Sequence, residues 1–283
     1  MIAIVVLWAA GCAATGAGGA KPAGAAARAF DEYVAKAEER IRKEESSAAT
    51  FSNVRDQDEG ALDRGQVVVE PRGPAGNGAT DVPRGMIHDW SARIFLPGVT
   101  VNDVLAVVQD YDHSARYYAP EVVTSRLIAR DGDGFRIMLR LREHQVITVV
   151  MDSEYAVRYG RLDAEHQFSW SRSTRVTEIA DAGGPHERSL SDAQNHGYLW
   201  RLNSYWRFIE VSDGVVVECE AVSLTRDVPA GLGWLVGRFV REIPRESLER
   251  TLRATRDAVP PKEHGLWSLP KVVQAPAADS KRR

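Results

Sequence analysis

The sequence contains little cysteine and no concentration of positive charge. Cys12 and Cys219 are its only cysteines, so a framework of several disulfides is excluded. The formal net charge is -3, and no run of Lys or Arg is long enough to indicate a nucleic-acid-binding surface. We therefore expect no nucleic-acid partner. Because Cys219 lies in an alternating strand pattern, we expect it to be a small, buried apolar residue.

Sequence motifs of common enzymes and metal sites are also missing. There is no Gly-x-Ser-x-Gly elbow, no dinucleotide-binding glycine fingerprint and no His-Glu-x-x-His pair. The seven histidines are scattered without the spacing of metal ligands. We therefore assign no catalytic residue, no metal site and no cofactor. An enzyme is not excluded, because a cyclase needs only a shaped pocket with one or two acid-base groups.

The chain begins with an uncharged apolar run from Ile2 to Ala10, too short to cross a bilayer as a helix. Gly11 and Cys12 follow, and this junction resembles the lipobox of bacterial lipoproteins, although Ala9 stands where leucine is usual and the positively charged start is absent. We expect an exported, periplasmic protein anchored to the membrane by lipid on Cys12. The alternatives are a signal peptide cut within the following Ala/Gly stretch, and a cytoplasmic protein with a chance apolar start.

Composition and periodicity divide the chain into four segments. Residues 1–27 combine the signal sequence with an Ala- and Gly-rich stretch that reads as a flexible tether. Residues 28–85 form an extension with an amphipathic helix and a strand. Residues 86–259 carry the regular pattern of the main domain. Residues 260–283 have little core potential and are predicted to be a disordered tail.

Within the main domain, apolar and polar residues alternate along about six strands, which is typical of an antiparallel sheet with one covered face. Asp131 to Gly134 has the composition of a hairpin turn. The last strand is followed by an apolar helical stripe from Leu232 to Val259. This order predicts an α+β fold in which a curved antiparallel sheet wraps around a long C-terminal helix, with an extra helix before the domain.

Three stretches resemble the START-like superfamily, also called SRPBCC, of polyketide cyclases and lipid-transport proteins. They are Ile94 to Thr100, Trp206 to Phe208, and Val222 to Pro229. The resemblance implies a helix-grip fold with an elongated cavity for a lipid or another hydrophobic molecule. We therefore expect binding or transfer of such a ligand in the cell envelope. The alternative is a cyclase- or aromatase-like enzyme acting on an apolar substrate in the same cavity.

The alternation along the strands identifies the residues expected to line that cavity. Large aromatics offer contact area, and tyrosine and tryptophan also donate hydrogen bonds. We expect Arg172 to be a polar anchor for a ligand head group because a guanidinium on an inward face needs a partner. Arg172 would lose that role if a local bulge turned it outward or if it paired with an inward-facing Asp. For each aromatic side chain, the alternative is packing against the final helix. The predicted ligand-binding residues are Met151, Tyr155, Trp170, Arg172, Trp200, Ser204, Trp206 and Phe208.

Overall fold

The computed structural model describes residues 24–144, 148–227 and 233–260, with the side chains at positions 56 and 233–242 excepted. The predicted lipid anchor, the start of the tether and the tail beyond residue 260 lie outside these ranges. The helices are α1 (Gly24–Glu44), α2 (Ala48–Phe51), α3 (Asp56–Asp63), α4 (Val101–Val108), α5 (Ser114–Tyr117) and α6 (Gly233–Ala258). A 3-10 turn, Tyr111–His113, precedes α5. The strands are β1 (Val68–Pro71), β2 (Ala79–Val82), β3 (Gly85–Pro97), β4 (Val122–Asp131), β5 (Gly134–His144), β6 (Thr148–Arg161), β7 (His166–Ala180), β8 (Arg188–Ser189), β9 (Arg201–Val211) and β10 (Gly214–Arg226).

All ten strands belong to one antiparallel sheet, as the alternating pattern predicted. The main path runs β1-β3-β10-β9-β7-β6-β5-β4, with β2 beside β3 and β8 beside β7. Most neighbours are consecutive hairpins, and the Asp131 to Gly134 turn joins β4 to β5. The extension at 28–85 joins this same sheet, because β1 and β2 both pair with β3.

The long helix α6 lies against one face of the sheet, which we call the concave face. Leu248 and Leu252 of α6, and Val259 directly after it, are buried with the apolar residues of β3, β5, β9 and β10. Cys219 is buried in the same cluster, as expected. The predicted helix-grip arrangement of sheet and C-terminal helix is therefore confirmed. The first part of the predicted apolar stripe, residues 232–242, lies outside the side chains that the structure describes.

The opposite, convex face is covered over β3, β10 and β9 by the N-terminal helix α1. Its residues Phe30, Val34 and Ile41 pack with Val222 and Leu224 of β10. The helix begins at Gly24, so the prediction of a tether extending to residue 27 is wrong at its end. The Ala-rich segment favours helix once its face is buried, and Ala26 is fully buried against the sheet.

Strand β7 contains an irregularity that reverses its alternation. Ser173 pairs with Tyr155 of β6, and Arg175 pairs with Glu154, so Thr174 is an extra residue between them. Because side chains alternate with a period of two, one inserted residue exchanges the two faces of the strand beyond it. Odd-numbered residues before Thr174 therefore face α6, and even-numbered residues do so after it.

Among the described helices, none combines the length and apolar character needed to span a membrane. The same residues contain no cluster of His, Cys, Asp and Glu suited to hold a metal ion.

Candidate functional site

Five of the predicted ligand-binding residues lie together on the concave face. They project from β6 and β9 into the space between the sheet and α6, and each is at most 1% exposed. The indole of Trp206 lies nearly parallel to the ring of Phe208, with ring centroids 6.3 Å apart. These five residues are Met151, Tyr155, Ser204, Trp206 and Phe208.

Trp170 and Arg172 were expected on the same face, and that expectation is wrong. Trp170 stands opposite Tyr205 of β9, and the two rings contact each other on the convex side, with their centroids 5.4 Å apart. The cause is the bulge at Thr174, which separates these residues from the inward-facing Val176. The alternative of a bulge that turns Arg172 outward is therefore correct.

Arg172 has a protein partner in place of the proposed ligand head group. Its guanidinium donates to Glu38 of α1, at 2.7 Å from Nη2 and 2.8 Å from Nε. Tyr205 donates to the same carboxylate, at 3.0 Å, and Arg42 pairs with it at 3.2 Å. The guanidinium is half exposed, so it belongs to the docking surface of α1 rather than to the interior.

Trp200 was also expected to face inward and instead packs on the convex side. It precedes β9, and its ring lies with Val82 and Trp170 around the cluster beneath α1. Gly197 has a φ of +81°, which breaks the extended alternation that the sequence pattern assumed before β9. A Cβ at this glycine would lie 3.0 Å from the Trp200 ring, so the indole occupies the space that glycine leaves.

The interior between the concave face and α6 also contains buried polar atoms that lack a partner among the described residues. They include Ser171 Oγ of β7, Trp206 Nε1 of β9, Ser223 Oγ of β10 and Ser247 Oγ of α6. Each of these residues is at most 1% exposed. A buried donor without a hydrogen bond costs free energy, so such atoms require an explanation. Neither Ser171 nor Ser223 was visible as a candidate, because serine in a strand pattern reads as an ordinary polar position.

Buried tyrosines form a second polar feature toward one end of the interior. Tyr111 and Tyr159 share a hydrogen bond of 2.8 Å between their hydroxyl oxygens. Tyr118 is linked to Thr255 of α6, at 3.2 Å. Burial raises the pKa of Tyr155 and of the two paired phenols above the usual range. These groups are therefore neutral hydroxyls at physiological pH, able to donate a hydrogen bond but not to act as a ready base.

The charged network beneath α1–α3 was not predicted from the sequence. Arg207 of β9 is 4% exposed and contacts Glu44, Glu45 and Glu218. Its Nη1 also donates to the carbonyl oxygen of Phe51. Arg93 of β3 is equally buried and pairs with acidic residues of α3 and β1. Charged residues alternating along a strand predict a solvated face, and only the docking of the extension buries them.

Glu45, the residue that follows α1, makes folding stability depend on pH. Burial raises the pKa of its carboxyl to about 7, against the opposing effects of Arg207 and of the indole hydrogen bond from Trp170. The folded state therefore binds this proton more tightly than the unfolded chain, so stability falls as pH rises from about 4.5 to about 7. Above about pH 7 the protein keeps this reduced folding stability.

Replacing Glu45 with glutamine should remove this pH dependence. We expect E45Q to match the parent near pH 5 and to exceed its free energy of unfolding by about 2 kcal/mol at pH 8, because the amide needs no proton. Urea unfolding at both pH values measures the difference. Glu39→Gln, at an exposed position on α1, should show no such gain in stability at pH 8. Equal behaviour of the two variants would contradict the assignment.

Comparison with known proteins gives no match to a protein-family model and no similar curated protein. Solved structures do align with the chain. A STAR-related lipid transfer protein from Xanthomonas axonopodis is 19% identical, with 64% of this chain and 98% of that chain covered and a TM-score of 0.41. A START superfamily protein from Mycobacterium smegmatis is 12% identical (61% and 96% covered, TM-score 0.38). An aromatase/cyclase from Streptomyces sp. R1128 is also 12% identical (61% and 91% covered, TM-score 0.39).

The first two are START-type proteins, the superfamily that the three sequence stretches resemble. At identities below 20% and TM-scores near 0.4 they carry no argument about a ligand or an activity. The fold assignment rests on the sheet order and on the position of α6.

Proposed function

We propose that the protein binds or transfers a hydrophobic small molecule bearing at least one polar group, held between the concave face and α6. The observation that carries this proposal is the set of buried polar atoms that have no partner in the described part of the chain and lie among apolar side chains. A ligand oxygen accepting from Trp206 Nε1 or Ser171 Oγ would remove the cost of burying those donors. The apolar wall would supply the remaining affinity.

Ser171 stands at the centre of this arrangement. On one side it lies directly opposite Val157 of β6, and on the other directly opposite Ser204 of β9. Side chains facing each other across neighbouring strands have Cβ atoms about 4.5–5.5 Å apart. A polar group of a ligand over Ser171 would therefore also lie near Ser204, the one predicted polar residue that does face inward.

Substitution of Ser171 with phenylalanine tests the proposal. Protein purified in its native state should release a stoichiometric organic molecule on solvent extraction, detected by mass spectrometry. The ring of Ser171→Phe would occupy the ligand's space, so we expect at least a tenfold drop in the bound amount. Thr174→Phe, exposed on the same strand, is the matched control and should retain the molecule.

Two outcomes would contradict the proposal. In the first, the parent protein releases nothing and Ser171→Phe is destabilised by about 1–3 kcal/mol, the cost of overpacking a filled core. The interior would then be packed by its own side chains. In the second, the protein converts freshly added compound, the molecule found in the extract, into a different product. Turnover of this kind would favour the cyclase- or aromatase-like alternative.

We further propose that this binding takes place in the cell envelope, with the chain anchored through lipid on Cys12. The support is the apolar run of Ile2 to Ala10 and the Gly11-Cys12 junction. Cys12→Ser should release the protein from the membrane fraction, as measured by fractionation of cells producing the full chain. Unchanged membrane association of the variant would count against a lipid anchor.

A further inference from the structure

The convex face is not covered everywhere by the N-terminal helices. Beyond the C-terminal end of α1, a groove of about 740 Å³ runs over β5, β6 and β7 toward the β4–β5 turn. Five arginines line it against two acidic residues, Glu45 and Asp131. This is a strongly basic surface on a chain whose net charge is -3.

The sheet register explains the shape of the groove. Arg136 of β5, Ala156 of β6 and Arg172 of β7 stand directly opposite one another in adjacent strands. Arg158 follows on β6 and stands opposite Trp170. Because Ala156 has only a methyl group, its position forms a floor between longer basic side chains. Arg136 and Arg172 each lie about one strand spacing from it, and Arg158 lies two residues further along β6.

Aromatic rings continue the groove along the sheet. The ring of Phe168 lies over Gly160, where a Cβ would come within 2.4 Å of it. Trp170 is held in place because its indole nitrogen donates to Glu45, at 3.0 Å. The guanidinium groups of Arg42 and Arg172 lie 5.1 Å and 5.5 Å from the centre of the Trp170 ring. A flat apolar surface therefore adjoins the cluster of positive charge.

The positive charge in the groove is only partly neutralised. Arg42 and Arg172 share the carboxylate of Glu38. Arg136 has its nearest carboxylate oxygen, on Glu154, 4.0 Å away. Arg158 has no ion pair among the described residues. Arg136 and Arg158 are both exposed, so their guanidinium groups are available for a bidentate anion such as a phosphate or a carboxylate.

We propose that this groove binds a small organic anion. The anionic group lies between Arg136 and Arg158 over Ala156, and the apolar portion lies against Trp170 and Phe168. The volume falls within the range of about 300–1,000 Å³ found for small-molecule sites, which favours a small ligand over a macromolecular surface. The site lies on the outside of the sheet, so it is separate from the interior proposed above.

Calorimetric titration with 2-naphthyl phosphate tests this inference on the full chain. The aromatic phosphate should bind at one site, whereas uncharged 2-naphthol and inorganic phosphate should each bind at least tenfold more weakly. Arg158→Gln should weaken binding of the aromatic phosphate about tenfold, the usual consequence of losing one charge-assisted contact. Ala156→Leu, which fills the floor while keeping every charge, should do the same.

Arg126→Gln is the matched control, because Arg126 is exposed on β4 beside the same face and does not line the groove. It should change the affinity less than twofold. The inference is overturned if both arginine variants lose affinity equally, because attraction would then be general to the basic surface. It is also overturned if naphthol or inorganic phosphate binds as tightly as the ester. Loss of the interior molecule in Ser171→Phe, with naphthyl phosphate binding unchanged, would separate the two sites.

Discussion

Replacing Arg207 with alanine should cost about 3–5 kcal/mol of folding stability, because removing one partner of a buried ionic cluster leaves its other charges uncompensated. Glu44, Glu45 and Glu218 all contact this guanidinium, and it also donates to the carbonyl oxygen of Phe51 at 3.1 Å. After the substitution, Arg40 remains beside Glu44, at 3.1 Å. The loss measures how strongly the N-terminal extension is held on the sheet.

Urea unfolding at pH 5 and pH 8 provides the measurement. The loss should be larger at pH 8, where the carboxylates left behind are ionised, than at pH 5, where some can take up a proton. Arg207→Met retains the apolar stem and so isolates the charge; most of the loss should remain. Arg175→Ala is the matched control, since that side chain is 65% exposed and 4.0 Å from Glu154, and it should cost less than about 1 kcal/mol. Similar small losses for Arg207→Ala and Arg175→Ala would show that the cluster does not anchor the extension.

This cluster also marks the limit of what the sequence could predict. Cys219 of β10 is buried toward α6 together with Val217, as its alternating strand pattern predicted, whereas Glu218 and Glu220 lie on the other face. Period-two patterning identifies two faces but does not reveal what covers each of them. The amphipathic α1 was predicted as a helix, yet its partner was not, because the pairing depends on contacts between residues far apart in sequence.

The candidate site was predicted where strands are regular and missed where they are not. Met151, Tyr155, Trp206 and Phe208 lie on uninterrupted stretches of β6 and β9, and all four are buried on the concave face. In β7 the bulge at Thr174 contains no glycine or proline that would indicate it. It places every residue before it on the face opposite to the one predicted. The basic groove was invisible for a different reason: its arginines are separated along the chain and meet only across strands.

The two tryptophans on opposite faces offer the sharpest test of which face holds the hydrophobic ligand. Trp206 is fully buried on the concave side, and Trp200 is partly buried on the convex side. Trp206→Ala should cost about 3–5 kcal/mol, the usual penalty for removing a large core aromatic. Trp200→Ala removes the same side chain from a partly solvated position and should cost less, about 1–2 kcal/mol.

Native mass spectrometry of both variants then locates the bound molecule. We expect Trp200→Ala to retain it and Trp206→Ala to lose it. Because Trp206→Ala can fail to fold, Trp206→Phe is the decisive variant. It keeps an aromatic ring on the concave face and removes the five-membered part of the indole with its N–H, which has no partner among the described residues. If that N–H donates to the ligand, Trp206→Phe should stay folded and hold the molecule about fivefold to tenfold more weakly, as expected for the loss of one hydrogen bond. Retention of the molecule in Trp206→Phe and its loss in Trp200→Ala would instead place the ligand on the convex side. The substitution in the interior would then leave binding unchanged.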